Sequence, residues 1–217
     1  SMCHDWLEDY NYPNFKNATS IISPLINIHF LTSLLFVGSF GFIYWLDKNK
    51  KYVSPLKGSW FKIMSFMIPS VVIGSLYIAL RLELENYWHN LFNASELKLD
   101  ENNIIYNYDL LQFKIIWVLN YSLLFVSVLT LVNVYKLKNR LLGMINLSLN
   151  TIAIIVFLTQ GLYVLSELRE SYLLQSLPEY YEIGAFYIWI RYISFTFLAL
   201  TLFASSKCIR HAFMNID

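Results

Sequence analysis

The sequence predicts an all-α polytopic transmembrane helical bundle with five transmembrane helices. Hydrophobic residues make up 57% of the 217 residues and charged residues only 14%, against about 25% charged residues in soluble domains. Five apolar stretches each approach or exceed the length of about 20 residues that a helix needs to cross a bilayer. Aromatic residues reach 18%, which is typical of chains anchored at lipid interfaces.

The five apolar stretches define the predicted spans. A lipid-exposed backbone must satisfy its own hydrogen bonds, and the stretches lack the alternation of barrel strands, so each is predicted as a helix. The spans cover residues 21–46, 63–82, 115–135, 141–165 and 183–206. Residues 1–217 are therefore predicted to form a single integral membrane domain.

Charge predicts the orientation, because short cytoplasmic loops collect Lys and Arg. The segments after the first, third and fifth spans together contain ten basic and two acidic residues. The N-terminal segment and the two other connections contain five basic and thirteen acidic residues, with Arg191 inside the fifth span counted in neither group. The N-terminus is predicted outside and the C-terminus in the cytoplasm.

Two segments are predicted to lie outside the membrane. Residues 83–112 are polar and rich in asparagine, and they are expected to form an external loop. Residues 166–182 continue the helical spacing of the fourth span and include Ser176 and Glu179, which have the Ser-x-x-Glu spacing of a capping box. This spacing predicts an external helical hairpin.

Polar side chains are expected in one layer just below the outer membrane surface, when depth is counted at about 1.5 Å per residue. A guanidinium among amides and phenols could bind a carboxylate or phosphate that enters from outside. The members of this predicted outer layer are Arg191, His29, Asn27, Asn120, Gln160, Tyr77 and Arg81. Four carboxylates above it are candidate salt-bridge partners, namely Glu83, Glu85, Glu167 and Glu170.

Arg191 has two structural alternatives to a ligand site. Its side chain could extend to the lipid headgroups, because it lies close to the outer edge of its span. It could also pair with Glu83 or Glu167 and join helices. His29 is expected to form an interhelical hydrogen bond.

Three asparagines in the cytoplasmic half of the bundle are expected to pair with one another through their amides. These are Asn133, Asn146 and Asn150.

The sequence predicts no cofactor, metal site or catalytic residue. It contains no Gly-x-Ser-x-Gly, His-Glu-x-x-His or glycine-rich phosphate loop. A membrane haem is disfavoured because His29 is the only histidine within a span. Cys3 and Cys208 are predicted on opposite sides of the membrane, which excludes a disulfide between them, and a net charge of +1 disfavours nucleic-acid binding.

The predicted function is that of a non-enzymatic multi-pass membrane module that receives a ligand or partner protein at its extracytoplasmic face. The alternative is a transporter component or lipid-handling enzyme that uses a polar pocket in the outer leaflet. A polar cavity from Asn120 towards Asn150 would favour transport, whereas a packed inner half would favour reception. The expected partners are the lipid bilayer and a protein, and an amino-acid usage typical of AT-rich genomes favours a bacterial cytoplasmic membrane.

Overall fold

The computed structural model describes residues 27–48, 59–100, 103–175, 180–212 and 214. The chain divides into two compact units, residues 1–90 and residues 91–217. The first part of the first predicted span, residues 21–26, lies outside the described residues.

Nearly all of the described chain is helical. Its elements are α1 (Ile28–Lys48), α2 (Ser59–Ala94), β1 (Leu97–Asp100), β2 (Asn103–Ile105), α3 (Asp109–Val132), α4 (Arg140–Val156), α5 (Leu162–Leu174) and α6 (Phe186–Ile209). Two π-helical turns adjoin these helices: Asn133–Leu137 extends α3, and Phe157–Gly161 joins α4 to α5. The segment Arg140–Leu174 is therefore one continuous helix.

Four helical segments within the described residues are long and apolar enough to cross a membrane. They are Met67–Ala94, Asp109–Leu137, Arg140–Leu174 and Phe186–Ile209. The described part of α1 adds a shorter apolar stretch, Phe30–Ile43. These helices confirm the predicted class of helical membrane protein, whereas the count of five spans stays a prediction.

Most of the predicted loop over residues 83–112 has regular structure. The helix of the second span continues to Ala94, and β1 and β2 then form an antiparallel hairpin in which Lys98 lies opposite Ile104. The helix α3 begins at Asp109. Hydropathy marks only the apolar part of a helix, so the polar turns of α2 beyond residue 82 gave no signal of their own.

In the predicted hairpin over residues 166–182, the first arm is helical, and the described end of the second arm, residues 180–182, is not. The helix α5 ends at Leu174, after which Gln175 adopts a left-handed conformation with φ of 49°. The predicted capping box, Ser176 to Glu179, lies outside the described residues. The chain from Tyr180 to Ala185 is not helical, and α6 begins at Phe186 rather than at residue 183.

The helices α3 and α6 run parallel to each other. Three contacts along their length each join residues separated by 74 positions: the rings of Phe113 and Tyr187, the side chains of Asn120 and Ser194, and those of Ser127 and Thr201. A constant separation requires the same direction and a fixed register. The contacts repeat every seven residues, which is the spacing of a left-handed helix pair.

The long helix Arg140–Leu174 runs antiparallel to α3. Asn150 contacts Thr130 near the connecting turn, and Ser171 contacts Asp109 at the opposite end of α3. The second unit thus has a turn end, where α3 leads into α4, and a hairpin end, where β1 and β2 lie close to the start of α3.

Candidate functional site

Polar side chains inside the second unit pair with one another across helices. Asn120 donates from Nδ2 to Ser194 Oγ at 3.0 Å, and Ser127 donates from Oγ to Thr201 Oγ1 at 2.9 Å. Asn150 donates from Nδ2 to Thr130 Oγ1 at 2.9 Å. All six residues are buried. The hydrocarbon of a bilayer offers these polar groups no water, so they bond to one another across helices. The bonds join α3 to α6 and to α4.

The three asparagines that the sequence predicted in the cytoplasmic half, Asn133, Asn146 and Asn150, make no hydrogen bonds to one another in the described part of the chain. Asn150 bonds to Thr130, while Asn133 donates from Nδ2 to the carbonyl oxygen of Asn139 and accepts from its backbone N–H through Oδ1. Asn146 is 2% exposed, and its Nδ2 makes no hydrogen bond within the described residues. The prediction gave these asparagines amide partners. The structure instead pairs Asn150 with the hydroxyl of Thr130, and Asn133 with the backbone of the turn between α3 and α4.

In the first unit, Asn27 of the predicted outer layer pairs with Glu83, one of the carboxylates predicted above the layer. Asn27 donates from Nδ2 to Glu83 Oε1 at 2.8 Å, and its Oδ1 accepts the backbone N–H of Phe30 at the start of α1. Glu83 is only 4% exposed. The bond therefore satisfies one oxygen of a buried carboxylate and links the start of α1 to α2.

Arg81 and Glu85 form the other pair of the predicted layer in this unit. Their Nε and Oε1 atoms are 2.8 Å apart, one helical turn along α2. Tyr77 also interacts with Arg81. An exposed pair of this kind contributes only about 0.3–0.5 kcal/mol to helix stability. His29 lies in the first turn of α1, but its side chain lies outside the described residues.

Among the described residues, the layer members in the second unit make no hydrogen bonds to one another. Asn120 is fully buried against Ser194, whereas Gln160 is exposed. Arg191 is partly buried on α6 and makes no hydrogen bond or ion pair within the described part of this unit. Glu167 interacts with Tyr163, one turn away on α5, and Glu170 is exposed. A single layer across both units stays a prediction.

Gln160 is exposed and lies within the π-helical turn between α4 and α5. Phe157 and Gly161, at the two ends of this turn, are both buried. In a helix of 3.6 residues per turn, residue i+4 lies closer to the face of residue i than residue i+3 does, so the face that contains Phe157 also contains Gly161. A count of depth gives no rotation about the helix axis, and so it could not predict that Gln160 is exposed.

An ordered polar surface that the sequence did not predict lies at the hairpin end of the second unit. The Tyr181 hydroxyl is 2.8 Å from the carbonyl oxygen of Ser95 and 3.1 Å from that of Ile105. This single phenol therefore connects the segment before α6 to both sides of the β-hairpin.

Further contacts connect the hairpin to the helices. Tyr106 donates from its hydroxyl to Glu96 Oε2 at 3.0 Å and stacks on the ring of Phe92. Ser171 on α5 donates to Asp109 Oδ1 at 2.8 Å. Residues 92–100 and 103–109, together with Ser171 and Tyr181, are called the hairpin platform below. The alternation of Leu97, Lys98, Leu99 and Asp100 was the sequence signal that could have indicated its first strand.

Two phenols of the hairpin platform, those of Tyr106 and Tyr181, have raised pKa values and stay neutral at physiological pH. The hydrogen bond to Glu96 raises the pKa of Tyr106, and burial raises the pKa of Tyr181. Since both pKa values are raised, the stability that these groups contribute is present below about pH 10, the ordinary pKa of tyrosine. It is lost as the pH rises through their higher values in the folded protein.

No group of three His, Cys, Asp or Glu side chains that could bind a metal occurs among the residues that the structure describes. The chain matches no family model, no curated protein and no solved structure. The arguments on function therefore rest on the contacts above.

Arg191→Lys is expected to leave the folded protein almost unchanged, with a difference within about 0.5 kcal/mol in the free energy of unfolding. The partly buried side chain of Arg191 has no partner among the described residues of its own unit, so either long side chain can extend its charge to the headgroups. Arg191→Ala should also fold. Thermal unfolding in detergent tests both variants, and a loss of about 3 kcal/mol or more would instead indicate a buried carboxylate partner.

Proposed function

We propose that this chain is a non-enzymatic multi-pass membrane module that receives a partner protein at its extracytoplasmic face. The observation that carries the proposal is the hairpin platform. There the single hydroxyl of Tyr181 joins three separate parts of the second unit, the segment before α6, the end of α2 and β2, into one ordered surface outside the apolar helices.

The hydrogen bonds between helices inside the second unit favour reception over transport. A transport path would need polar groups that are free to exchange partners with a solute. Asn120, Ser127 and Thr130 instead bond to side chains of neighbouring helices and are fully buried. Signals from the platform would then pass through movement of whole helices or through a partner protein.

The proposed orientation places the hairpin platform outside and the turn end in the cytoplasm, with five spans and an outside N-terminus. It rests on the cations Lys136, Lys138 and Arg140, which are exposed at the turn end. We further propose a bacterial cytoplasmic membrane as its location. Reporter fusions at Lys51, Lys138 and Asp217 should all indicate the cytoplasm, and an external signal from any of them would overturn this topology.

A photo-crosslinking residue tests reception directly. In cells, p-benzoylphenylalanine in place of Ile104, which is 47% exposed on β2, should form an adduct with one defined protein. The same residue in place of Ile152, 57% exposed on α4, should not, because that position is expected to face lipid. Absence of an adduct at Ile104, or equal adducts at both positions, would contradict the proposal.

A pair of tyrosine variants connects the adduct to the platform. Tyr181→Phe removes the hydroxyl that lies near two carbonyl oxygens and should reduce the Ile104 adduct. Tyr180→Phe is the matched control, because the neighbouring Tyr180 hydroxyl makes no hydrogen bond among the described residues. Equal adducts in the two variants would show that recognition does not depend on the ordered hairpin.

A further inference from the structure

Five cations lie at the turn end of the second unit. Lys136, Lys138 and Arg140 belong to the connection between α3 and α4, and Lys207 and Arg210 lie at the end of α6. All five are exposed. No carboxylate occurs in the neighbouring stretches 133–149 and 199–212. These five residues are called the basic end below.

Packing brings the two groups of cations to the same place. Val134 and Cys208 belong to one buried cluster with Met214, and Leu147 packs against it. The sulfur of Cys208 also lies 4.0 Å from the carbonyl oxygen of Gly143. Val134 precedes Lys136 by two residues, and Cys208 follows Lys207 directly. Both groups of cations therefore lie next to this one buried cluster.

The connection between α3 and α4 has a fixed backbone. Lys138 is left-handed with φ of 51°, and its N–H donates to the carbonyl oxygen of Asn133 at 2.7 Å. The buried side chain of Asn133 makes two further bonds to the backbone of Asn139. The backbone that carries these three cations therefore needs little further ordering when a ligand binds.

Apolar and basic side chains alternate along this connection. Tyr135, Leu137 and Leu141 are each more than half exposed and are interleaved with the cations. This pattern follows an apolar helix directly and suits a segment at the membrane interface. The apolar side chains reach the acyl chains there, while the cations lie at the level of the phosphates.

We infer that the basic end binds the headgroup of an anionic phospholipid. Five exposed cations in stretches of chain that contain no Asp or Glu, 133–149 and 199–212, form a surface complementary to lipid phosphate. The interleaved apolar residues favour a phosphate that carries acyl chains over a free one. This inference concerns the end of the second unit opposite to the hairpin platform, so it stands or falls independently of the proposed reception.

Thermal unfolding of the purified full chain in neutral detergent tests the inference. Phosphatidylglycerol should raise the melting temperature at low ionic strength, and the effect should weaken with added salt because the charges are exposed. Phosphatidylcholine, inorganic phosphate and glycerol 3-phosphate at the same concentration should leave it nearly unchanged. An equal rise with phosphatidylcholine would indicate general lipid stabilisation, an equal rise with the soluble phosphates would indicate a site for free anions, and either result would overturn the inference.

Charge-removing variants locate the lipid site. The triple variant Lys136→Gln, Lys138→Gln and Arg140→Gln should weaken the apparent affinity for phosphatidylglycerol about tenfold or more. The matched control removes three cations near the hairpin end, through Lys98→Gln, Lys114→Gln and Arg169→Gln, and should change the affinity by less than about twofold. Circular dichroism verifies that both fold. A folded turn-end variant with unchanged affinity, or an equal loss in the control, would contradict the site.

Discussion

A disulfide is expected to form between Ser127→Cys and Thr201→Cys under mild oxidation, in a background with Cys3→Ser and Cys208→Ala. The hydroxyl oxygens of Ser127 and Thr201 are 2.9 Å apart between the parallel helices α3 and α6. Sulfur atoms in the same positions need only a small shift to reach the bond length of about 2.05 Å. We expect nearly all of the oxidised protein to contain this disulfide. The mass of a protease-cleaved sample shows whether the two helices are joined.

An out-of-register pair is the control for this experiment. Ser127→Cys with Ser194→Cys places the two sulfurs one seven-residue repeat apart, which is about 10.5 Å along a helix. Disulfides rarely join Cα atoms separated by more than about 7 Å. Efficient formation of this bond, or failure of the in-register pair, would show that the parallel register of α3 and α6 is wrong.

The helices of the second unit could be predicted from the sequence because the middle of each helix is a long run of apolar residues. Predicted spans at 115–135 and 183–206 correspond to α3 with its π-helical turn, Asp109–Leu137, and to α6, Phe186–Ile209. The partners of polar residues were harder to predict. A hydropathy window gives the depth of Asn120 but not its rotation about the helix axis, and it is the rotation that selected Ser194 as its partner.

Most of the structure outside the apolar stretches was not predicted from the sequence. The hairpin platform is stabilised by contacts between residues far apart in the chain, such as Tyr181 with Ser95, and no local pattern reports such a contact. In the predicted outer layer, the depth count gave no partner for any member, and the bond between Asn27 and Glu83 appears only in the structure. The count likewise gave no rotation for Gln160, which lies in a π-helical turn and is exposed.

That π-helical turn leads to the second large expected effect, which concerns Gly161. The backbone of Gly161 is ordinary right-handed helix with φ of −64°, so alanine would meet no conformational strain. A Cβ atom there would nevertheless lie 2.8 Å from Cδ2 of Phe157. The Phe157 ring is fully buried and packs edge-on against Phe195, so it has little space to move. We expect Gly161→Ala to lower the free energy of unfolding by about 1–3 kcal/mol.

Gly74→Ala is the matched control, because Gly74 also lies within a helix and a Cβ atom there would meet nothing within 4 Å. Without a clash, the better helix propensity of alanine should stabilise this variant by about 0.5–1 kcal/mol. Opposite signs for the two substitutions, measured by unfolding in detergent, would therefore isolate the contact with Phe157. Adding Phe157→Leu to Gly161→Ala should recover part of the loss, since the shorter side chain frees the space next to residue 161. If Gly161→Ala instead stabilises the protein as Gly74→Ala does, the ring of Phe157 does not occupy the space beside Gly161.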